Sequence, residues 1–205
     1  GSSDDITGIF RDMPGVEDHD IGMHDLTIDG NRANASGKVD GWFNGVSPGE
    51  PGTDANITLD HVEVENCGGY GFDPHEQTTN LVITNCVSHG NGLDGFTLDY
   101  QIGAQLTNDV AYDNDRHGFN IVTQSHDDTL TDCIAYGNGS DGVMIQRGSD
   151  NVPVPYNITI TGGEFYANGN DGIQINKADR VHINGVHIHD NMAHGIRISG
   201  SVDTI

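Results

Sequence analysis

One short phrase recurs along this chain and limits its fold more than any other feature. Gly71 is followed by Phe72, Gly95 by Phe96, Gly118 by Phe119, Gly142 by Val143, Gly172 by Ile173 and Gly195 by Ile196. The steps between these glycines are 24, 23, 24, 30 and 23 residues. The one long step carries residues 149–155, a loop with two prolines that accounts for the excess. A fixed period of this length marks a chain built from stacked, near-identical units.

Counting from each glycine lines up further columns. Twelve residues earlier stand Leu59, Ile83, Leu106, Leu130, Ile160 and Ile183, and three residues later Pro74, Leu98, Ile121, Ile145, Ile175 and Ile198. Four residues earlier an asparagine recurs as Asn91, Asn114, Asn138, Asn168 and Asn191. Apolar residues at +1 and +3 with polar ones between are the period-two pattern of a half-buried strand. Each repeat thus holds at least two short strands joined by Asn, Asp and Gly turns, and nothing has a helical period. Leucine-rich repeats need a different consensus, a hexapeptide helix a period of six, and a propeller longer repeats. The expected fold is all-β, a right-handed parallel β-helix forming a single-stranded solenoid. Its apolar ladders run inside and its asparagines stack at the turns.

A looser coil fits residues 23–45, with Asp40, Gly41, Trp42 and Phe43 as its strand and residues 46–53 as an inserted loop. That makes about seven coils and one domain over 1–205. The opening Gly1 and Ser2 read as an expression scar. The closing Val202, Asp203, Thr204 and Ile205 read as the start of another strand. A fragment is therefore expected, uncapped at one or both ends, as a monomer with end-to-end association open to it.

Composition agrees with a narrow stacked core. Hydrophobic residues make up only 34% of the 205, glycines number 29, and the net charge is −23 from 31 acidic and 8 basic residues. Such acidity argues against nucleic acid and anionic membranes as partners. It suits an extracellular surface or calcium-binding carboxylates. No stretch reads as a membrane span. Cys67, Cys86 and Cys133 are odd in number and lack zinc spacing.

With +1 and +3 pointing inward, −1, +2 and +4 are expected to point out. The −1 column reads Asp40, Tyr70, Asp94, His117, Asp141, Asp171 and His194; the +4 column runs Gly45, His75, Asp99, Val122, Gln146, Asn176 and Ser199. The +2 column begins Phe43, Asp73, Thr97 and Asn120. Neighbouring coils lie ~4.8 Å apart. Tyr70, Asp73, His75, Asp94, Asp99 and His117 thus converge on one face, flanked by Lys38 and Arg116. Arg147 and Lys177, both at +5, are expected to stack on consecutive coils and extend this groove past His75.

Residues 70–76 read YGFDPHE and residues 114–122 NDRHGFNIV, after LTIDGNR at 26–32 and KVDGWFNG at 38–45. Together these resemble the catalytic A-module of the secreted, calcium-dependent mannuronan C5-epimerases, along nearly the whole chain. The resemblance implies a bacterial isomerase that converts β-D-mannuronate to α-L-guluronate within alginate. Calcium is the cofactor it implies. Carried over by motif, the catalytic residues are Tyr70, Asp73, His75 and Asp99, with Lys38, Arg116 and His117 in support. Asp40, Phe43, Gln146, Arg147 and Lys177 join them as expected substrate contacts. His75 is expected to act as base and Tyr70 as proton donor, since neutral imidazole is the easier base near pH 7. Two alternatives use the same scaffold: an alginate lyase working by β-elimination, and a catalytically weak alginate-binding fragment. The module of this family is nearly twice as long, so the chain reads as its middle part.

Overall fold

The computed structural model describes residues 8–11, 17–44, 54–75 and 77–200. Five expectations fall outside them: the Gly1–Ser2 scar, Gly45, the loop at 46–53, Glu76, and the strand beginning at Val202. Twenty short strands and no helix make up the described residues.

Eight strands form one parallel sheet: Gly8–Arg11, Asp40–Asn44, Phe72–Pro74, Phe96–Asp99, Phe119–Val122, Val143–Gln146, Ile173–Asn176 and Ile196–Ser199, paired in that order. The register joins Phe72 to Phe96, Phe96 to Phe119, Phe119 to Val143, Val143 to Ile173 and Ile173 to Ile196. This is the glycine-anchored column. Gly8–Arg11 adds one strand to the seven expected, and its Gly8 pairs with Asp40, one position off the anchoring glycine column. A second, twelve-stranded sheet supplies the other two sides of the coil. Its long strand Ala55–Glu65 pairs through its first half with Thr79–Thr84 and through its second half with Val87–His89. Later coils break at this corner, where Asn85, Asn108 and Asp132 take φ of 54°, 57° and 52°. Asn and Asp tolerate this left-handed conformation, so one residue turns the chain. Each of these coils therefore has three strands, in keeping with the expectation of at least two.

The interior is a set of ladders. Phe72, Phe96 and Phe119 stack at centroid distances of 4.7 and 5.0 Å. Each such buried side chain contributes about 1.5–3 kcal/mol. The anchoring glycines are explained by close approach. A Cβ on Gly118 would lie 2.7 Å from the carbonyl oxygen of Gly142, and one on Gly142 would lie 2.6 Å from that of Gly172. Any side chain there would push the coils apart.

The asparagine column is an internal ladder. Asn91 Nδ2 donates to Asn114 Oδ1 at 2.9 Å, Asn114 to Asn138 at 3.0 Å, and Asn138 to Asn168 at 3.0 Å. The same oxygens accept backbone N–H groups of the preceding coil, as Asn114 Oδ1 accepts that of Asn91 at 3.2 Å. Buried polar groups persist because every coil supplies its neighbour's partner. The three thiols are free and buried, and burial pushes those of Cys67 and Cys86 up to about 12. At the last described coil Ile196 and Ile198 remain exposed.

Candidate active-site groove

The outer side of the eight-stranded sheet carries a groove of about 500 Å³. Tyr70, Asp73 and His75 enter it from one coil, Thr97 and Asp99 from the next, and Arg116, Asn120 and Val122 from the third. Gln146 closes it on the fourth, and Thr123, Gly148 and Ser149 form a wall. All four expected catalytic residues thus share one concavity, together with Arg116 and Gln146.

Tyr70 lies between two cations. Lys38 Nζ stands 4.4 Å from its ring centroid and Arg116 Cζ 5.4 Å, and Arg116 Nη2 donates to the phenol oxygen at 3.3 Å. Burial raises the phenol above its usual value, with Asp73 adding to the rise and Arg116 opposing it. The phenol is therefore held protonated at neutral pH.

Arg116 is itself fixed by Asp94, which is fully buried. Arg116 Nε donates to Asp94 Oδ1 at 2.6 Å and its Nη2 to Oδ2. Asn120 Nδ2 donates to Oδ2 at 2.7 Å and the His117 backbone N–H to Oδ1 at 3.0 Å. This two-pronged pairing gives the guanidinium one orientation and raises its pKa further.

His75 rests on the Phe43 ring, at 5.8 Å between centroids. Its Nδ1 lies 3.4 Å from Asp99 Oδ2 and 3.8 Å from Asp73 Oδ1. Asp73 is buried, and its Oδ1 has no hydrogen-bond partner among the described residues. A buried carboxyl oxygen without a protein partner, on the floor of a groove, suits a bound group that donates to it or accepts from it.

The −1 column departs from expectation. Asp40, Asp94, Asp141 and Asp171 are buried rather than outward. They cap the following coil: Asp40 accepts the Tyr70 N–H at 2.8 Å, Asp141 that of Asp171 at 2.9 Å, and Asp171 that of His194 at 3.0 Å. Those N–H groups sit at the corner beside the sheet, and a carboxylate turned inward satisfies them better than solvent does. Asp40 and His117 consequently do not line the groove. Burial, then Asp73, pushes the Asp40 carboxyl up to about 6. His117 Nδ1 lies 3.1 Å from Asp141 Oδ2. Burial drives Asp141 upward, but His117 and the Asp171 N–H outweigh it and hold it below the usual range.

Arg147 and Lys177 do not extend the groove as expected. Arg147 Nη1 donates to the Asp150 carbonyl at 3.1 Å, and Lys177 Nζ lies 3.8 Å from the Asp150 carboxylate. The inserted loop draws both to itself. A missed residue is Arg11, paired in register with Phe43 and 5.4 Å from its ring. Thr123 was missed too; it takes φ of 46°, an uncommon conformation for a β-branched residue.

Calcium takes six to eight oxygen ligands. Among the described residues, two groups bring three His, Cys, Asp or Glu ligand atoms together: Glu63 with Glu65 and His89, and Glu164 with His187 and His189. Both include imidazole and both lie away from the groove. These side chains do not fit a calcium cage.

Comparison with known proteins places this geometry in context. The family described as right handed beta helix region matches residues 51–205. Mannuronan C5-epimerase AlgE6 of Azotobacter vinelandii is 61% identical over 165 residues, covering 80% of this chain and 19% of that protein. The solved AlgE6 A-module superposes with a TM-score of 0.92 at 52% identity, over 96% of this chain and 52% of that one. Alginate lyase 7 of the same organism is 54% identical over 127 residues, 62% of this chain and 15% of its own length. The chain thus spans about half of the solved module and about a fifth of the curated epimerase.

Proposed function

Because the chain belongs to the right-handed β-helix family and is similar to mannuronan C5-epimerases, we propose that its groove epimerises β-D-mannuronate to α-L-guluronate at C5 within alginate. The observation that carries this is the convergence of Tyr70, Asp73, His75 and Asp99 in one groove, with the Tyr70 phenol held protonated against Arg116.

The C5 proton lies α to a carboxylate, so its removal builds charge on a group already anionic. Arg116 and Lys38 are placed to offset that charge, and each preorganised donor of this kind is often worth ~3 kcal/mol. Asp99 beside Nδ1 of His75 orients the ring and leaves Nε2 to take the proton. Tyr70 delivers its phenol proton to the opposite face of C5, which inverts the centre. The substrate is a polyanion and the chain carries −23, and the charge distribution reconciles the two. Arg116 lines the groove and Lys38 stands over the ring of Tyr70, so positive charge is concentrated where the substrate carboxylate binds.

Loss of the 4-O-linked sugar from the same carbanion gives β-elimination, and the likeness to an alginate lyase favours that as the second reading. A ¹H-NMR time course on polymannuronate separates them. Guluronate signals without unsaturated ends support epimerisation, unsaturated ends support elimination, and an unchanged polymer refutes both. Calcium dependence rests on the family resemblance and the acidic composition alone, and titration with EGTA followed by calcium checks it. An extracellular location and a monomeric state complete the proposal.

A further inference from the structure

A second cluster lies on another side of the coil. The strand Glu164–Tyr166 pairs with His187–His189, so that Glu164 sits beside His187 and Tyr166 beside His189. Residues two apart on a strand share a face, and both imidazoles therefore stand over the carboxylate. His187 Nδ1 lies 2.9 Å and His189 Nε2 3.0 Å from the same oxygen, Glu164 Oε1.

We propose that Glu164, His187 and His189 bind a divalent transition metal of the zinc, nickel and copper class. Three donor atoms bound at ~2.0–2.1 Å in a tetrahedral arrangement lie ~3.3 Å from one another. The three atoms here already lie within 4.8 Å of one another, so side-chain rotation alone closes the set. His187 is largely exposed, which leaves room for water or an external ligand as the fourth partner.

His189 is built as a ligand in two further respects. Its Nδ1 lies 2.8 Å from Asp190 Oδ2, the carboxylate–imidazole pairing that fixes the ring and directs Nε2 at a metal. Its ring stacks on Tyr166 at 5.0 Å and 6°, and that stack continues through Tyr136 and Tyr112 to His89. Both nitrogens of His189 face carboxylate oxygens. Only an imidazolium, or a metal on Nε2, satisfies that arrangement. Two imidazoles select borderline transition metals over calcium, which prefers oxygen. The bound ion would clip the last two described coils together, independently of the groove chemistry.

Calorimetric titration of the full chain with zinc chloride near neutral pH tests this, with thermal melts in parallel. One zinc site is expected, with a raised melting midpoint. Each of His187→Ala and His189→Ala should weaken binding at least ~100-fold, and Asp190→Asn ~10-fold or more, as for outer-shell partners elsewhere. His89→Ala, at the other cluster, should leave zinc binding unchanged, and calcium should produce no such site. Undiminished zinc binding in a folded His187→Ala/His189→Ala double variant would overturn the proposal. So would an absence of zinc binding by the unaltered chain, or equal loss in His89→Ala.

Discussion

Replacing Arg116 by Gln tests the link between the coil's buried polar network and the chemistry in the groove. The substitution removes both bonds to Asp94 and the one to Tyr70, while Asp94 stays buried with Asn120, Thr97 and the His117 N–H as partners. Breaking a fully buried ion pair costs about 3–5 kcal/mol. Arg116 is over a third exposed and three donors to Asp94 survive, so about 2 kcal/mol is the loss expected. Urea unfolding near pH 7 measures it. The effect on Tyr70 has a definite sign. Arg116 is the influence that holds its pKa down against burial and Asp73, so its removal lets that pKa climb. A proton donor loses activity as pH rises through its pKa, so the alkaline limb of kcat should move to higher pH in Arg116→Gln. Loss of a preorganised donor should also lower kcat by about 10²–10³. Arg116→Lys keeps the charge without the fork, and should restore the limb more than the rate. A folded Arg116→Gln with unchanged kcat and an unmoved alkaline limb would refute the assignment of Tyr70 as an acid governed by this guanidinium.

Other consequences follow from the coil itself. Asn114→Ala strips the ladder of a side chain that bonds Asn91, Asn138 and the Ser88 carbonyl, and should cost about 2–4 kcal/mol in urea unfolding. Gly118→Ala sets a Cβ 2.7 Å from the Gly142 carbonyl oxygen, so circular dichroism should show a chain that folds poorly or melts much earlier. Burial pushes the Asp109 carboxyl up to about 8. Its folded pKa exceeds the unfolded one, so the folded state binds the extra proton and stability falls as pH rises from about 4 through 8. Asp109→Asn should flatten that slope and stabilise the protein at pH 8 by about 2–4 kcal/mol, measured by denaturant melts across pH.

The coil was legible because its restraints repeat. A glycine that must be bare, an aliphatic at +3 and an asparagine at −4 recur often enough to reveal the period, and the period alone brings Tyr70, Asp73, His75 and Asp99 together. What escaped does not repeat or does not follow strand geometry. The −1 aspartates read as outward because period two says so. At a corner, however, an unpaired N–H of the next coil draws the carboxylate in, which buried Asp40 and made Asp94 the anchor of Arg116. The wall formed by Thr123, Gly148 and Ser149 depends on loop conformation, and the same loop's Asp150 captured Arg147 and Lys177. Arg11 belongs to a strand whose Gly8 sits one position off the glycine column, so no column pointed to it.

In the proposed reaction His75 and Tyr70 exchange the C5 proton from opposite faces of the sugar. Polymannuronate incubated with the protein in D₂O and followed by NMR tests it most directly. Deuterium should enter at C5 as guluronate appears; both should vanish in His75→Phe, and guluronate should fail to form in Tyr70→Phe, each still folded. Retained deuterium exchange at C5 in His75→Phe, or guluronate formed by Tyr70→Phe, would contradict the assignment.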